Sequence, residues 1–174
     1  MRTQEDMRAL EEPFAETDPA PMYDMIELLY FAYRDFVGDA DRLLEDYGFG
    51  RAHHRVLHFV ARHPGLTIAE LLDILAITKQ SLNRVLKELV AQDFIEARAG
   101  AQDRRQRRLN ATAKGGELAL KLARAQTRRL AAAMRALGPD AKGDAAAFLL
   151  EMIDRQARAR VLALIGAPQA DARR

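Results

Sequence analysis

Cysteine is absent from the 174 residues. Its absence excludes disulfides, thiolate metal sites, a cysteine nucleophile and sensing by cysteine oxidation. Long apolar runs are missing too. The longest strictly apolar run, Ala145–Leu150, has six residues, too few for a helix that spans a bilayer, and no membrane partner is expected. The first residues, MRTQEDMRALEEPF, lack the apolar core of a signal peptide, so the expected compartment is the cytoplasm. Charge of one sign is scarce in sum: 27 Lys and Arg face 25 Asp and Glu, a net of +2. Taken alone that total argues for no polyanionic partner. Yet 22 of the 27 basic residues are Arg, so local Arg clusters can hide in the average. An apolar content of 49% with 30% charged residues is ordinary for a soluble globular chain. The length suits one domain with a core, or a small domain with appended helices.

Residues 1–21 read as a mobile N-terminal tail, with three Pro and six acids against two Arg. From Met22 to Tyr47 the apolar residues Met22, Met25, Ile26, Leu29, Tyr33, Phe36, Leu43, Leu44 and Tyr47 recur at spacings that predict a helix. A second helix fits 51–62, closed by His63-Pro64-Gly65. Thr67 with Glu70 three residues on is a capping box that opens a helix over 68–75. Thr78 caps the next, 79–92, whose Leu82, Val85, Leu86, Leu89 and Val90 define a buried face. Phe94–Arg98 and Arg107–Ala111 are strand candidates joined by an Arg-rich loop. Thr112 caps a long helix to Leu137, and Gly138-Pro139 breaks it. One last helix from Ala141 places Ala146, Leu149, Leu150, Ile153, Ala157, Val161 and Leu164 on a stripe, and 167–174 form a tail.

Two short capped helices followed by a hairpin make a winged helix-turn-helix, so the expected fold is mainly α with a small β-hairpin wing. The second helix of such a unit fits the DNA major groove. Opposite its apolar face lie Gln80, Arg84, Lys87 and Ala91, flanked by Ser81 and Asn83, with Thr78 and Lys79 at the start. Gln, Asn, Arg and Ser can read base edges, and backbone N–H groups at a helix start favour phosphate. A polar, basic helix face is also what a merely solvated surface looks like. The hairpin decides between the two. It carries Arg98, Asp103, Arg104, Arg105, Arg107 and Arg108, and residues 79–108 hold eight basic against four acidic side chains. An Arg at a wing tip suits a narrow minor groove, where the negative potential is deepest.

The stretch GLTIAELLDILAITKQSLNRVLKELVAQDFIEARAGAQDRRQRRLNATAKG, residues 65–115, resembles the MarR family of bacterial transcription regulators. The resemblance extends from about Met22 to about Leu164. It implies that Asp103 orders the wing tip and that Arg105 inserts into the minor groove. It further implies a homodimer, in which the N- and C-terminal helices, 22–47 and 116–166, entwine to form the dimer and 48–115 is the DNA-binding lobe. Such a dimer reads a near-palindromic operator with half-sites about 10 bp apart and in most cases acts as a repressor. A small-molecule effector held between the dimerisation helices and the lobe is also implied. Here Tyr30, Tyr33 and Arg34 with His54 and His58 could line its pocket, although aromatic residues at helical spacing are more often core. Gly50–Arg55 departs from many relatives and resembles the PetP-type branch, which weakens any ligand chemistry borrowed from better-known members.

His54 and His58, four residues apart, have the spacing of two metal ligands on one helix. No acid between Arg51 and Pro64 supplies a third local ligand, so no metal and no cofactor is expected. P-loop, G-x-S-x-G, H-E-x-x-H and G-x-G-x-x-G motifs are missing, which argues against an enzyme. The chain therefore reads as a regulator of double-stranded DNA. Its rival is a winged-helix protein–protein module without sequence-specific DNA binding, which would tolerate acids on the outward face of 79–92 and a short apolar wing.

Overall fold

The computed structural model of the protein describes residues 20–99 and 107–166. Among these the chain forms α1 (Tyr23–Glu45), α2 (Arg51–Arg62), β1 (Leu66–Thr67), α3 (Ile68–Leu75) and α4 (Lys79–Ala91). There follow β2 (Ile95–Ala99), β3 (Arg107–Ala111), α5 (Ala113–Leu137), α6 (Ala141–Glu151) and α7 (Arg155–Gly166). Two units divide the chain, Met1–Arg34 and Asp35–Arg174, with the division inside α1. The expected tails, 1–21 and 167–174, lie almost wholly outside the described residues.

In the first unit the helical spacing of Met22, Met25, Ile26, Leu29 and Tyr33 is kept, but all five side chains are exposed. Tyr30 meets Phe31 edge-on at 5.4 Å, and the Arg34 guanidinium sits 4.8 Å from the Phe31 ring centre.

The second unit holds the core. Val56, Leu57 and Val60 of α2, Leu71 and Leu75 of α3, and Leu82, Val85, Leu86 and Leu89 of α4 are buried with Phe94, Ile95, Leu109, Leu118 and Leu122. All three expected threonine caps form. Thr67 Oγ1 accepts from the Glu70 N–H at 3.2 Å, while Glu70 Oε2 accepts from the Thr67 N–H at 2.8 Å. Thr78 Oγ1 accepts from the Ser81 N–H at 3.2 Å, and Thr112 Oγ1 accepts from the Gly115 N–H at 3.0 Å. Each bond satisfies an amide that the helix itself leaves unpaired. Between α3 and α4 the chain reverses through Ala76, whose φ of 50° is left-handed.

The sheet has three strands in the order β1-β3-β2, all neighbours antiparallel. The hairpin was expected; β1 was not, because two residues carry no period of their own and pair only through β3. Strand β2 runs one residue later than its pattern suggested, since the Phe94 N–H is taken by the Leu89 carbonyl at 2.9 Å, although the Phe94 carbonyl accepts from the Thr112 N–H at 3.1 Å. That carbonyl also explains Gly115: a Cβ there would lie 1.9 Å from it. The start of α5 packs on the Phe94 backbone at a distance only glycine allows.

Two further expectations are corrected. Val90 is 45% exposed rather than buried, since at 100° per residue it lies roughly a quarter-turn from the mean direction of its four buried neighbours. The single helix expected from Ala141 is two. Asp154 Oδ1 accepts from the Gln156 N–H at 3.0 Å and starts α7, while Arg158 donates to the Glu151 and Ile153 carbonyls at 2.7 and 2.9 Å and closes α6. Asp154 offers its side chain to the backbone as a cap, which interrupts an otherwise continuous apolar stripe. Of that stripe Leu150, Ile153, Ala157, Val161 and Leu164 are half-buried, whereas Ala146 and Leu149 are exposed.

Candidate nucleic-acid interface

Burial of Leu82, Val85, Leu86 and Leu89 fixes the rotation of α4 about its axis. Helical geometry then sends Gln80, Arg84 and Lys87 outward with Ser81 and Asn83 flanking them, Lys79 lies in the open first turn, and all six are exposed, as is Thr78. Thr78 serves mainly as the cap. It donates its hydroxyl proton to Ser81 Oγ at 3.0 Å while accepting the Ser81 N–H. The Ser81 hydroxyl proton is left pointing away from that bond and can donate outward. The first turn of α4 carries no acid, which keeps the positive end of the helix dipole available to an anion.

Beside this face the wing rises from β2 and β3. Register pairs Arg98 with Arg108 and Ala99 with Arg107. Side chains alternate along a strand, so Arg107 shares the face of Leu109 and Ala111, while Arg98 and Arg108 share the other. Both Arg98 and Arg107 are exposed. Arg98 pairs with Glu96 at 2.7 Å. Arg108 donates from Nη1 to the Gly65 carbonyl at 3.2 Å, which ties the wing to the turn after α2. Asp103, Arg104 and Arg105 lie outside the described residues.

The expected effector residues are distributed as follows. Tyr30 and Tyr33 are exposed. His54 is buried and His58 half-buried, their rings perpendicular and 6.4 Å apart. Burial holds both imidazoles below their ordinary titration range. A weaker pull from Asp41 opposes this at His54, and His54, Arg62 and His63 add to it at His58. Among the described residues no three His, Asp or Glu side chains gather as a metal set. A groove of about 660 Å³, not foreseen from sequence, runs between α1 and α5, lined by Asp39, Arg42, Leu43, Arg128, Arg129 and Ala132 among others. Asp39 accepts from Arg129 Nε at 2.7 Å and from Arg42; the Arg129 bond leads in holding its carboxyl below the usual carboxylate range.

One contact of the interface escaped the sequence entirely. His53 Nε2 lies 2.7 Å from Glu88 Oε2 of α4. Its Nδ1 accepts from the Gly50 N–H at 3.2 Å, and its ring stacks on Phe49 at 4.6 Å. Nothing in the sequence pairs residues 35 positions apart; only the packing of α2 on α4 does.

Two helices across a tight turn, an outward polar and basic second helix and an Arg-bearing three-stranded wing define a winged helix-turn-helix regulator. Residues 47–106 match the model of the MarR family. Over 129 residues the chain is 47% identical to the HTH-type transcriptional regulator PetP of Rhodobacter capsulatus, covering 74% of this chain and 78% of that one. An uncharacterised HTH-type transcriptional regulator of Staphylococcus aureus strain Mu50 is 31% identical over 86 residues, 49% of this chain and 59% of that one. In fold, the crystal structure of MarR superposes with a TM-score of 0.62 at 22% identity, covering 84% of this chain and 98% of that one. Staphylococcus aureus MepR in complex with DNA gives 0.59 at 20%, with 72% and 93% covered. This chain belongs to the MarR family of transcriptional regulators, and its place is among regulators rather than enzymes.

Proposed function

We propose that the protein is a DNA-binding repressor that acts as a homodimer in the cytoplasm on a near-palindromic operator. Helix α4 enters the major groove, where Gln80, Asn83 and Arg84 meet base edges and Lys79 and Lys87 meet phosphate. The wing, residues 99–108, reaches the minor groove through Arg105, with Arg98, Arg104 and Arg107 along the backbone and Asp103 ordering the tip. The observation that carries this reading is the α4 surface: Gln80, Arg84 and Lys87 lie opposite four buried side chains, and Lys79, Ser81 and Asn83 beside them are exposed as well. The MepR–DNA complex supports it by analogy of fold. The protein–protein alternative expects acids on that face, and only Glu88 is acidic in α4, at its edge.

Dimerisation is supported by the apolar side chains left exposed on α1, α6 and α7, since a two-fold pair is the commonest way to cover such stripes. Occupancy of a promoter by the dimer blocks polymerase. A small effector then shifts affinity by favouring one arrangement of the two lobes, a coupling between sites.

The test is a gel shift on the upstream region of the gene that encodes the chain. Arg84→Ala is expected to lower sequence preference, and Arg105→Ala to weaken binding by roughly 1–3 kcal/mol. Unchanged affinity in both variants contradicts these roles, and no binding of wild type to any duplex leaves the protein–protein module in front.

A further inference from the structure

Glu88 is the only carboxylate in α4. It stands four residues after Arg84, the spacing at which a carboxylate and a guanidinium meet on one helix face. Left to itself, Glu88 would have two effects on the interface. It would draw Arg84 into an intrahelical pair, and it would place a negative charge beside incoming phosphates. In the structure Glu88 is turned instead toward α2, where His53 Nε2 meets it at 2.7 Å.

The geometry around His53 fixes which proton makes that contact. Nδ1 accepts the Gly50 N–H, so in the neutral ring the proton resides on Nε2 and is donated to Glu88. The ring has little freedom to turn. It stacks on Phe49 with an interplanar angle of 12°, Phe49 is itself buried, and the His53 side chain is 13% exposed against 45% for Glu88. A stacked, largely buried donor thus holds a more exposed acceptor.

We propose that His53 is a positioning residue of the DNA-reading face: by holding Glu88 against α2, it keeps the one carboxylate of α4 away from Arg84. The inference rests on the DNA-binding reading above. It also gives a role to part of Gly50–Arg55, which no base or phosphate contact requires.

A double-mutant cycle on the full chain tests it, with titration of a labelled duplex of the upstream region and of a scrambled duplex of equal composition. His53→Ala is expected to weaken binding to the upstream duplex by about three- to tenfold, the scale of a misplaced charge at a partly exposed site. Glu88→Gln removes the charge and keeps an acceptor for His53, so it binds at least as tightly as wild type. In the Glu88→Gln background His53→Ala then changes affinity by less than about twofold, because no carboxylate remains to release. With Arg84→Ala as background its effect is likewise largely lost. A His53→Ala loss of equal size with and without Glu88 overturns the proposal, since it marks a purely structural residue. An unchanged His53→Ala overturns it as well. Should His53→Ala fail to fold, as a thermal melt reports, His53→Gln keeps a donor toward Glu88; it is then expected to bind within about twofold of wild type. Loss of binding in a folded His53→Gln overturns the proposal, and so does weakened binding in Glu88→Gln. Failure of wild type to bind either duplex removes the DNA reading and this inference with it, an outcome separate from all the others.

Discussion

Leu57, Leu71, Leu82, Leu89, Phe94 and Leu109 lose all or nearly all of their exposure within one chain, while Tyr23, Ile26, Leu28 and Tyr30 of α1 and Phe148, Leu149, Leu162 and Ile165 of α6 and α7 stay about half exposed or more. Both sets are apolar, but α6 and α7 carry little of the one-sided helical period of α2, α3 and α4. Closure separates them further. From α2 to the start of α5, caps and the three-stranded sheet turn the chain back on itself, so each apolar face meets another. The helices α6 and α7 of the same unit keep much of their apolar surface exposed, and in the first unit α1 does so too. A fully buried Leu or Phe contributes about 1.5–3 kcal/mol over an exposed one, and in the end helices this contribution remains to be gained from a second surface.

The largest expected effect breaks the enclosed region at its centre. Phe94 is fully buried, meets Tyr47 and Phe49 edge-on at 5.6 and 5.1 Å, and carries the Lys114 ammonium 4.2 Å from its ring centre. Phe94→Ala should cost about 3–5 kcal/mol in urea unfolding. By contrast, Ile26→Ala should leave the lobe stable to within about 0.5 kcal/mol and instead raise the protein concentration at which sedimentation detects dimer. A reversal of the two outcomes would remove the distinction between the regions.

Next in size is Gly115→Ala, whose methyl would collide with the Phe94 carbonyl. Helix propensity alone predicts stabilisation for this change in α5; the collision predicts a loss of about 1–3 kcal/mol, read by the same unfolding curves.

Acid should weaken the enclosed region as well. His54 and His58 titrate below their unfolded range because burial disfavours the charged ring. Their neutral forms therefore add stability that is complete above the unfolded value, about 6.5, and is lost as pH falls toward the folded values. Urea midpoints should drop on going from neutral pH toward pH 5, and His54→Leu should flatten that dependence. Glu70, lowered by the Thr67 N–H and then by its hydroxyl, gives a second loss at lower pH, through the carboxylate range.

Smallest is Ala76→Gly in the turn between α3 and α4. Relief of a left-handed φ at a non-glycine residue should stabilise by about 0.5–1 kcal/mol, a rise of a few degrees in melting temperature.

Much of the enclosed region was legible because its signals are local. The bounds of α2 and α3 fall where the sequence places them, and Thr67, Thr78 and Thr112 each mark a helix start within three residues of the bond they form. The outward face of α4 follows from its inward one by rotation alone. What was not legible depends on distant partners. β1 exists only through β3, Arg108 is anchored on Gly65, and His53 finds Glu88 through the packing of two helices. The break at Asp154 was present in the sequence as a cap residue, but a continuing apolar stripe masked it.

Contact between the outward face of α4 and DNA is read from the slope of log K against log salt for a duplex of the upstream region, in wild type and in Lys87→Ala. Each phosphate neutralised contributes about 0.9 to that slope. A steep dependence is expected in wild type, with a decrease of about one in Lys87→Ala. Parallel lines with equal slopes would show that Lys87 meets no phosphate and that the face does not lie on DNA.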